Sequence, residues 1–529
     1  MWSWDNPEHM TKLELAVFAG EIKDLDWDFE SKKITAVGEG SPFSAKVFTW
    51  DTGNSVGELV GHTKRVCSVA FKPSRPFRII SGGEDMKTIF YAGPPFKNDH
   101  SNAVHSNFVN CVRYSPNGEI IVSVSSDKKI QFYDGKTGEP TSCIPDAHAG
   151  SIYSAAFSPD SAKLLTAGAD KTAKIWDVAT LTCERVFEPI AFSDGPAQIG
   201  DMQVCAHYAG PVTLSLSLNG NLNVFDASST APTRVIQGHQ VAITALTLDR
   251  ENGVMYTGSF DGVVCATTVA TGISTRLFGE DQRSVCAAAH NGMITGLAMS
   301  GGSLLSVGWD DSFRRADIAS GRYVSGVAMD GQPCGVSCCG DVIAIATINE
   351  IVIYNGESKI VSLTNLPYSP TCVALCGGQE VAVGGSDNRT HIYSIADGVL
   401  TEVHVIETRS KVSAVSYSPL GDALAIGDEG RQVEVYERGT WEARVKGRWV
   451  FHTSRVTCLG WSPSGNLLAS GGLDENIFVW NCSKPLSKEH LPFSHAAGVT
   501  GVAWIDEEQL ISVGNDHVIA MWRIPNTTS

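Results

Sequence analysis

One cassette recurs along nearly the whole chain. Its clearest copy runs from Ala147-His148 through SIYSAAFSPDSAKLLTAGADKTAKIWD to Trp176-Asp177. Near-copies are GHTKRVCSVAFKPSRPFRIISGGEDMKTIFY from Gly61, VTCLGWSPSGNLLASGGLDENIFVWN from Val456 and VTGVAWIDEEQLISVGNDHVIAMW from Val499. Each reads as a strand, a Pro/Asp/Gly turn, a second strand, a tight Asp-centred turn and a third strand. Such a unit cannot bury both faces of its own sheet, so it must stack on neighbours of the same kind. The period of roughly 40–45 residues therefore predicts an array of small antiparallel sheets.

The Asp or Asn at the tight turn counts the units. These residues are Asp85, Asp127, Asp170, Asn219, Asp261, Asp310, Asn349, Asp387, Asp428, Asp474 and Asp516. A further unit, IKDLDWDFESKKITAVGEGSPFSAKVFTWD, precedes them and closes at Trp50-Asp51. The cassette is the WD-repeat signature, one propeller blade per repeat, and a propeller holds roughly four to eight blades. About twelve units then imply an all-β chain with two WD-repeat β-propellers in tandem. The expected boundary lies near Gly238-His239, giving an incomplete N-terminal propeller over 1–238 and a seven-bladed one over 239–529. The first should hold about five blades plus a strand pair, Trp2-Ser3-Trp4-Asp5 and Met10 to Leu15. The chain stops soon after Trp522-Arg523-Ile524, so the last blade is expected to miss its outer strand or to borrow one from the N-terminal region.

The net charge of −17 argues against nucleic acid, which attracts basic patches, and suits a basic partner or plain solubility. Cys67, Cys111, Cys205, Cys265, Cys372 and Cys458 fall in strands without a paired framework; Cys334, Cys338 and Cys339 cluster without metal-ligand spacing. This is the cysteine usage of a reducing cytoplasm, with neither cofactor nor metal expected. No stretch approaches the length of apolar sequence that would insert in a membrane.

Two patterns imitate chemistry. Gly53-Asn54-Ser55-Val56-Gly57 spells the nucleophile elbow, but it follows Trp50-Asp51 and leads into another strand, so it reads as a hairpin turn. The sets His148, Thr166, Asp170, Trp176 and His495, Ser512, Asp516, Trp522 resemble hydrolase triads. Their recurrence in blade after blade points instead to structural tetrads that satisfy buried polar groups. No enzyme is expected.

Several idiosyncratic stretches say more than the cassette. They are FAGEIKDLDWDFESKKITAVGEG (Phe18 to Gly40), KPSRPFRIISGGED (Lys72 to Asp85), GPPFK (Gly93 to Lys97), HSNFVNCVRYSPNG (His105 to Gly118) and YDGKTGE (Tyr133 to Glu139). With the order of degenerate blades, they resemble the actin-interacting protein 1 family, known in animals as WD-repeat protein 1, over essentially the whole chain. The resemblance implies two seven-bladed propellers, of which this chain would lack the first blade and most of the second. It implies a monomer of the cytoplasm and actin cytoskeleton whose partners are actin filaments and ADF/cofilin. Its role would be filament disassembly and barbed-end capping. The alternative is a generic WD-repeat scaffold, such as a ubiquitin-ligase adaptor or a trafficking coat subunit.

Propeller strands are structural and loops bind, so the candidate surface lies on loops of the first propeller. It comprises Glu39, Glu84, Asp85, Phe96, Lys97, Asn98 and Phe108. The carboxylates suit a basic patch and an exposed aromatic suits a hot spot. Asp85 can equally be a tetrad Asp, and Phe108 a residue packed between blades. After VGEG and GPPFK this chain has Ser41-Pro42 and Asn98-Asp99, where family members often place further charge or an aromatic.

Overall fold

A computed structural model describes residues 12–40, 44–187, 199–210, 212–226, 229–277, 289–396 and 398–524. The strand expected at Trp2 to Asp5, Met10-Thr11, Ser41-Pro42 and the segment after Ile524 lie outside the described residues, whereas Lys12 to Leu15, expected to continue a strand, are irregular, with Leu15 packed on the first sheet against Ile34 and Phe48. Among the described residues, every regular element is a strand except one 3-10 turn, Ile199–Asp201. The strands form twelve antiparallel sheets, numbered here in chain order; eleven are four-stranded and the twelfth has three strands. The chain divides into two compact units, Met1–Ile236 with the first five sheets and Gln237–Ser529 with the other seven.

The sequence pattern explains the stacking. Second strands such as Lys163–Gly168 and Leu467–Gly472 are near-continuous apolar or small runs, buried along almost their whole length. A strand reads this way when both faces of its sheet are covered. Outer strands such as Pro140–Ile144 and Arg322–Ala328 are mostly exposed. The core is thus a series of layers between adjacent sheets, such as Val37, Val47, Phe71, Ile79 and Tyr91 between the first and second.

Several of the tight turns share one construction. The Asp carboxylate accepts the N–H two residues on, from Lys129 to Asp127 (3.0 Å), Thr172 to Asp170 (3.1 Å) and Val518 to Asp516 (3.2 Å). The intervening residue takes a left-handed backbone, as at Lys171 (φ 70°) and Glu475 (φ 68°). Short polar side chains that bond their own backbone favour such turns.

In the second unit, hydroxyls on the innermost strands tie each sheet to the next. Thr371 Oγ1 donates to Val412 O (2.7 Å), Ser413 Oγ to Val456 O (2.6 Å) and Thr457 Oγ1 to Val499 O (2.5 Å). Thr500 Oγ1 then donates to Ile243 O (2.5 Å), and Arg250 Nε to Trp504 O (2.9 Å). The twelfth sheet therefore sits against the sixth, and the run of seven closes on itself.

The first unit uses charge at the corresponding place. Arg113 Nη1 donates to Asp24 Oδ2 (2.9 Å) and Ser68 Oγ (2.9 Å), and Asp26 Oδ2 accepts Phe71 N–H (2.7 Å). The innermost strand of the first sheet, Ile22–Trp27, is largely exposed, including Ile22, Leu25 and Trp27. Its counterpart in the second sheet, Val66–Phe71, is buried.

Candidate functional site

The recurring His sets resolve into buried networks. His148 Nδ1 lies 3.0 Å from the Asp170 carboxylate, His148 Nε2 2.8 Å from Thr166 Oγ1, and Trp176 Nε1 donates to that hydroxyl at 2.9 Å. His495, Asp516, Ser512 and Trp522 repeat this at 2.9, 2.7 and 2.7 Å. The same His–Asp–Ser link occurs at His62–Asp85, His105–Asp127, His290–Asp310 and His452–Asp474. Burial alone would raise the carboxyls of Asp85, Asp127, Asp170, Asp310 and Asp474, but His and backbone N–H donors outweigh it; Asp474 is lowered to about 2 and Asp170 is held further down. Each hydroxyl is already engaged, so none is poised as a nucleophile. Burial also pushes the thiols of Cys334 and Cys338 up to about 11 and those of Cys265, Cys372 and Cys458 up to about 12, away from reactive thiolate. Among the described residues, no three His, Cys, Asp or Glu side chains come together as metal ligands.

At the turn end every sheet joins two loops through one backbone bond. The residue before the innermost strand offers its carbonyl to the N–H of a residue in the tight turn. In the first unit the pairs are Glu21/Glu39 (2.9 Å), Arg65/Glu84 (2.9 Å), Phe108/Ser126 (3.0 Å), Ser151/Ala169 (2.8 Å) and Met202/Leu218 (2.7 Å). The backbone geometry is constant while the side chains differ, as expected where a rigid scaffold carries recognition. The first three pairs bring charge and one aromatic to the turn end of adjoining sheets. Glu39 is exposed, and Arg65 Nε donates to Glu84 Oε1 at 2.9 Å. Lys23 Nζ lies 2.6 Å from Glu21 Oε2, and this contact lowers the Glu21 carboxyl. Phe108 is 40% exposed, with Lys64 Nζ 6.0 Å from its ring centroid.

The predicted residues divide accordingly. Glu39, Glu84 and Phe108 fall at this turn end. Asp85 lies beneath it with its carboxylate buried against His62 and accepting Thr63 N–H (3.1 Å), so it is not free for a partner. Phe96 is a correction: only 1% of it is exposed, because the GPPFK turn folds its ring into the layer between the first two sheets, 5.8 Å from Phe71. Lys97 and Asn98 are exposed but sit at the other end of the second sheet. The register pairs Lys97 with Ala92, whereas the Glu84–Asp85 turn adjoins Thr88, which pairs with Asn102. Sequence reasoning missed Glu21, Lys64 and Arg65. Their signal was positional, at or next to the residue before a first strand.

Stacked antiparallel sheets of three or four strands, many closed by an Asp turn and six of them pinned by a His–Asp–Ser/Thr network, define a WD-repeat protein. The family model "WD domain, G-beta repeat" matches residues 53–91, 98–134, 138–177, 230–266 and 445–481. The chain belongs to the family of actin-interacting protein 1 and WD repeat-containing protein 1. It is 36% identical to actin-interacting protein 1 of Drosophila melanogaster over 99% of this chain and 85% of that protein. It is likewise 36% identical to WD repeat-containing protein 1 of Gallus gallus and to the 66 kDa stress protein of Physarum polycephalum, over 99% of this chain and 86% of each relative.

Proposed function

We propose that this protein binds actin filaments decorated with ADF/cofilin and promotes their disassembly and barbed-end capping. It acts by binding, as a monomer of the cytoplasmic actin cytoskeleton, with no catalytic centre. The observation that carries this reading is 36% identity over 99% of the chain with proteins named actin-interacting protein 1, in Drosophila melanogaster and Caenorhabditis elegans alike. The turn end of the first three sheets supports it. Glu39 and the Arg65–Glu84 pair give a charged rim and Phe108 an exposed aromatic, the combination that favours a specific protein partner. Lys97 and Asn98 belong to a separate surface and are not part of this proposal. The two units Met1–Ile236 and Gln237–Ser529 are proposed as the two propeller domains.

Co-sedimentation with actin filaments, bare and cofilin-decorated, tests the reading. The chain should pellet with decorated filaments and shift actin into the supernatant, with little effect on bare ones. Failure to bind decorated filaments would remove the proposal. Binding that survives Glu39→Lys, Glu84→Lys and Phe108→Ser would leave the function and displace the site.

A further inference from the structure

The turn end of the second unit carries a different set of side chains on the same backbone pairs. In the sixth to eighth sheets these are Ala242/Phe260, Met293/Trp309 and Gln332/Ile348, joined at 2.9, 2.9 and 3.0 Å. Phe260 is 53% exposed, Trp309 47% and Ile348 42%. The Phe260 and Trp309 rings meet edge to face at 6.1 Å. The ninth sheet offers only Ser369/Ser386, and the tenth and eleventh turn basic with Lys411/Glu429 and Arg455/Leu473. Arg409, Arg431 and Arg455 are exposed there, and Lys411 Nζ lies 3.3 Å from Glu429 Oε1. Arg455 has no carboxylate partner within ion-pair distance among the described residues. The two arcs meet at a cavity of about 380 Å³, whose rim includes Met293, Lys411, Arg455 and Leu473.

We infer that this face of the second unit is a docking surface for a peptide segment with bulky apolar side chains at one end and acidic ones at the other. Large exposed aromatics on adjoining sheets supply the anchor that a specific interface needs. The cations select the charge: they gather in a chain of net charge −17, so the patch runs against the overall field and favours an acidic segment. The direction is set as well. Exposed Asp311 and Asp330 flank the apolar arc, so the acidic end of the segment belongs over Lys411 and Arg455 and its apolar end over Trp309. This surface is independent of the turn end of the first unit.

Fluorescence anisotropy on the full chain tests it, with a labelled peptide whose first half is Leu and Phe and whose second half is Glu. Saturable binding is expected. Phe260→Ser with Trp309→Ser should weaken it by about tenfold or more, and so should Lys411→Glu with Arg455→Glu. A peptide with Gln or Lys in place of Glu should bind correspondingly less. Phe260 and Trp309 fall on exposed turns and Arg455 is exposed, while Lys411 is half-buried, so circular dichroism melts check that each double variant folds. Absence of saturable binding, equal binding by either double variant, or equal binding of the Lys peptide would overturn the inference. So would sedimentation velocity showing a concentration-dependent dimer that Trp309→Ser dissolves, since a second copy of the chain would then be the occupant.

Discussion

At the level of single residues, the Asp of six tight turns does two jobs. It caps its own turn and holds the His beneath it. Asp170→Ala or Asp474→Ala leaves His148 or His452 buried without its carboxylate, and should cost about 1–3 kcal/mol in a denaturant titration. Thermal melts matching the parent would refute the structural role. The same groups set an acid limit. Asp474 is lowered to about 2, below the ~3.9 of an unfolded aspartate. Its contribution is therefore complete above the unfolded value and is lost as pH falls through the folded one. His239 adds an earlier step. Burial holds its ring down at about 4, against ~6.5 unfolded, while its Nε2 stays 2.7 Å from Thr257 Oγ1. Stability present above pH ~6.5 should fall between there and about pH 4, because the unfolded chain binds the proton first. Urea midpoints measured across that window should decline in the parent and stay flatter in His239→Gln; parallel profiles would contradict this.

At the level of elements, the sheets are joined by apolar layers and by hydroxyl bonds repeated from sheet to sheet. Thr500→Val keeps the shape of the side chain and strands the Ile243 carbonyl, the bond that closes the second unit. A loss of about 1–3 kcal/mol is expected, and Thr457→Val should behave alike at the preceding junction. Gly472 shows how closely the networks pack. A Cβ there would stand 2.5 Å from Asp474 Oδ1 and 2.7 Å from His452 Nδ1, so Gly472→Ala should destabilise by about 1–3 kcal/mol. A variant as stable as the parent by urea titration would mean that the network has slack to move. Not every sheet uses the tetrad. In the ninth, Tyr368 stacks on His391 at 3.8 Å and its hydroxyl lies 2.7 Å from that of Tyr393, while His391 reaches Asp387 from the third strand at 3.2 Å.

At the level of the whole molecule, the second unit has what a self-sufficient domain needs, since its first and last sheets bond to each other. Residues 237–529 expressed alone should give a strand-type circular dichroism spectrum and one cooperative melt. An unfolded or aggregated product would show that closure depends on the rest of the chain. Function should separate by unit. Charge reversal at Glu39 or Glu84 should weaken the action on cofilin-decorated filaments without lowering the melting temperature. The exposed Glu39 carries no fold-critical contact, and the partly exposed Arg65–Glu84 pair is worth only about 0–1 kcal/mol to the fold.

Much of this molecule was legible in the residue order, because the WD cassette encodes its local partners at constant spacing. His148 and Asp170 are 22 residues apart, as are His452 and Asp474, and both pairs meet. The tight turns, the twelve sheets and the lack of any α-helix among the described residues follow from the same repetition. Only the tertiary structure decided which side chains face a partner. Alternation along a strand tells inside from outside when one face is wet, but here both faces of a sheet are covered, so the pattern loses that information. Phe96 reads as a loop aromatic beside Lys97, yet its ring fills the layer between the first two sheets. Arg65 and Glu84 are separated by 19 residues and face each other only because the innermost strand and the tight turn end at the same edge. Turn-end recognition arises from the meeting of two distant loops, and chain order does not record which loops meet.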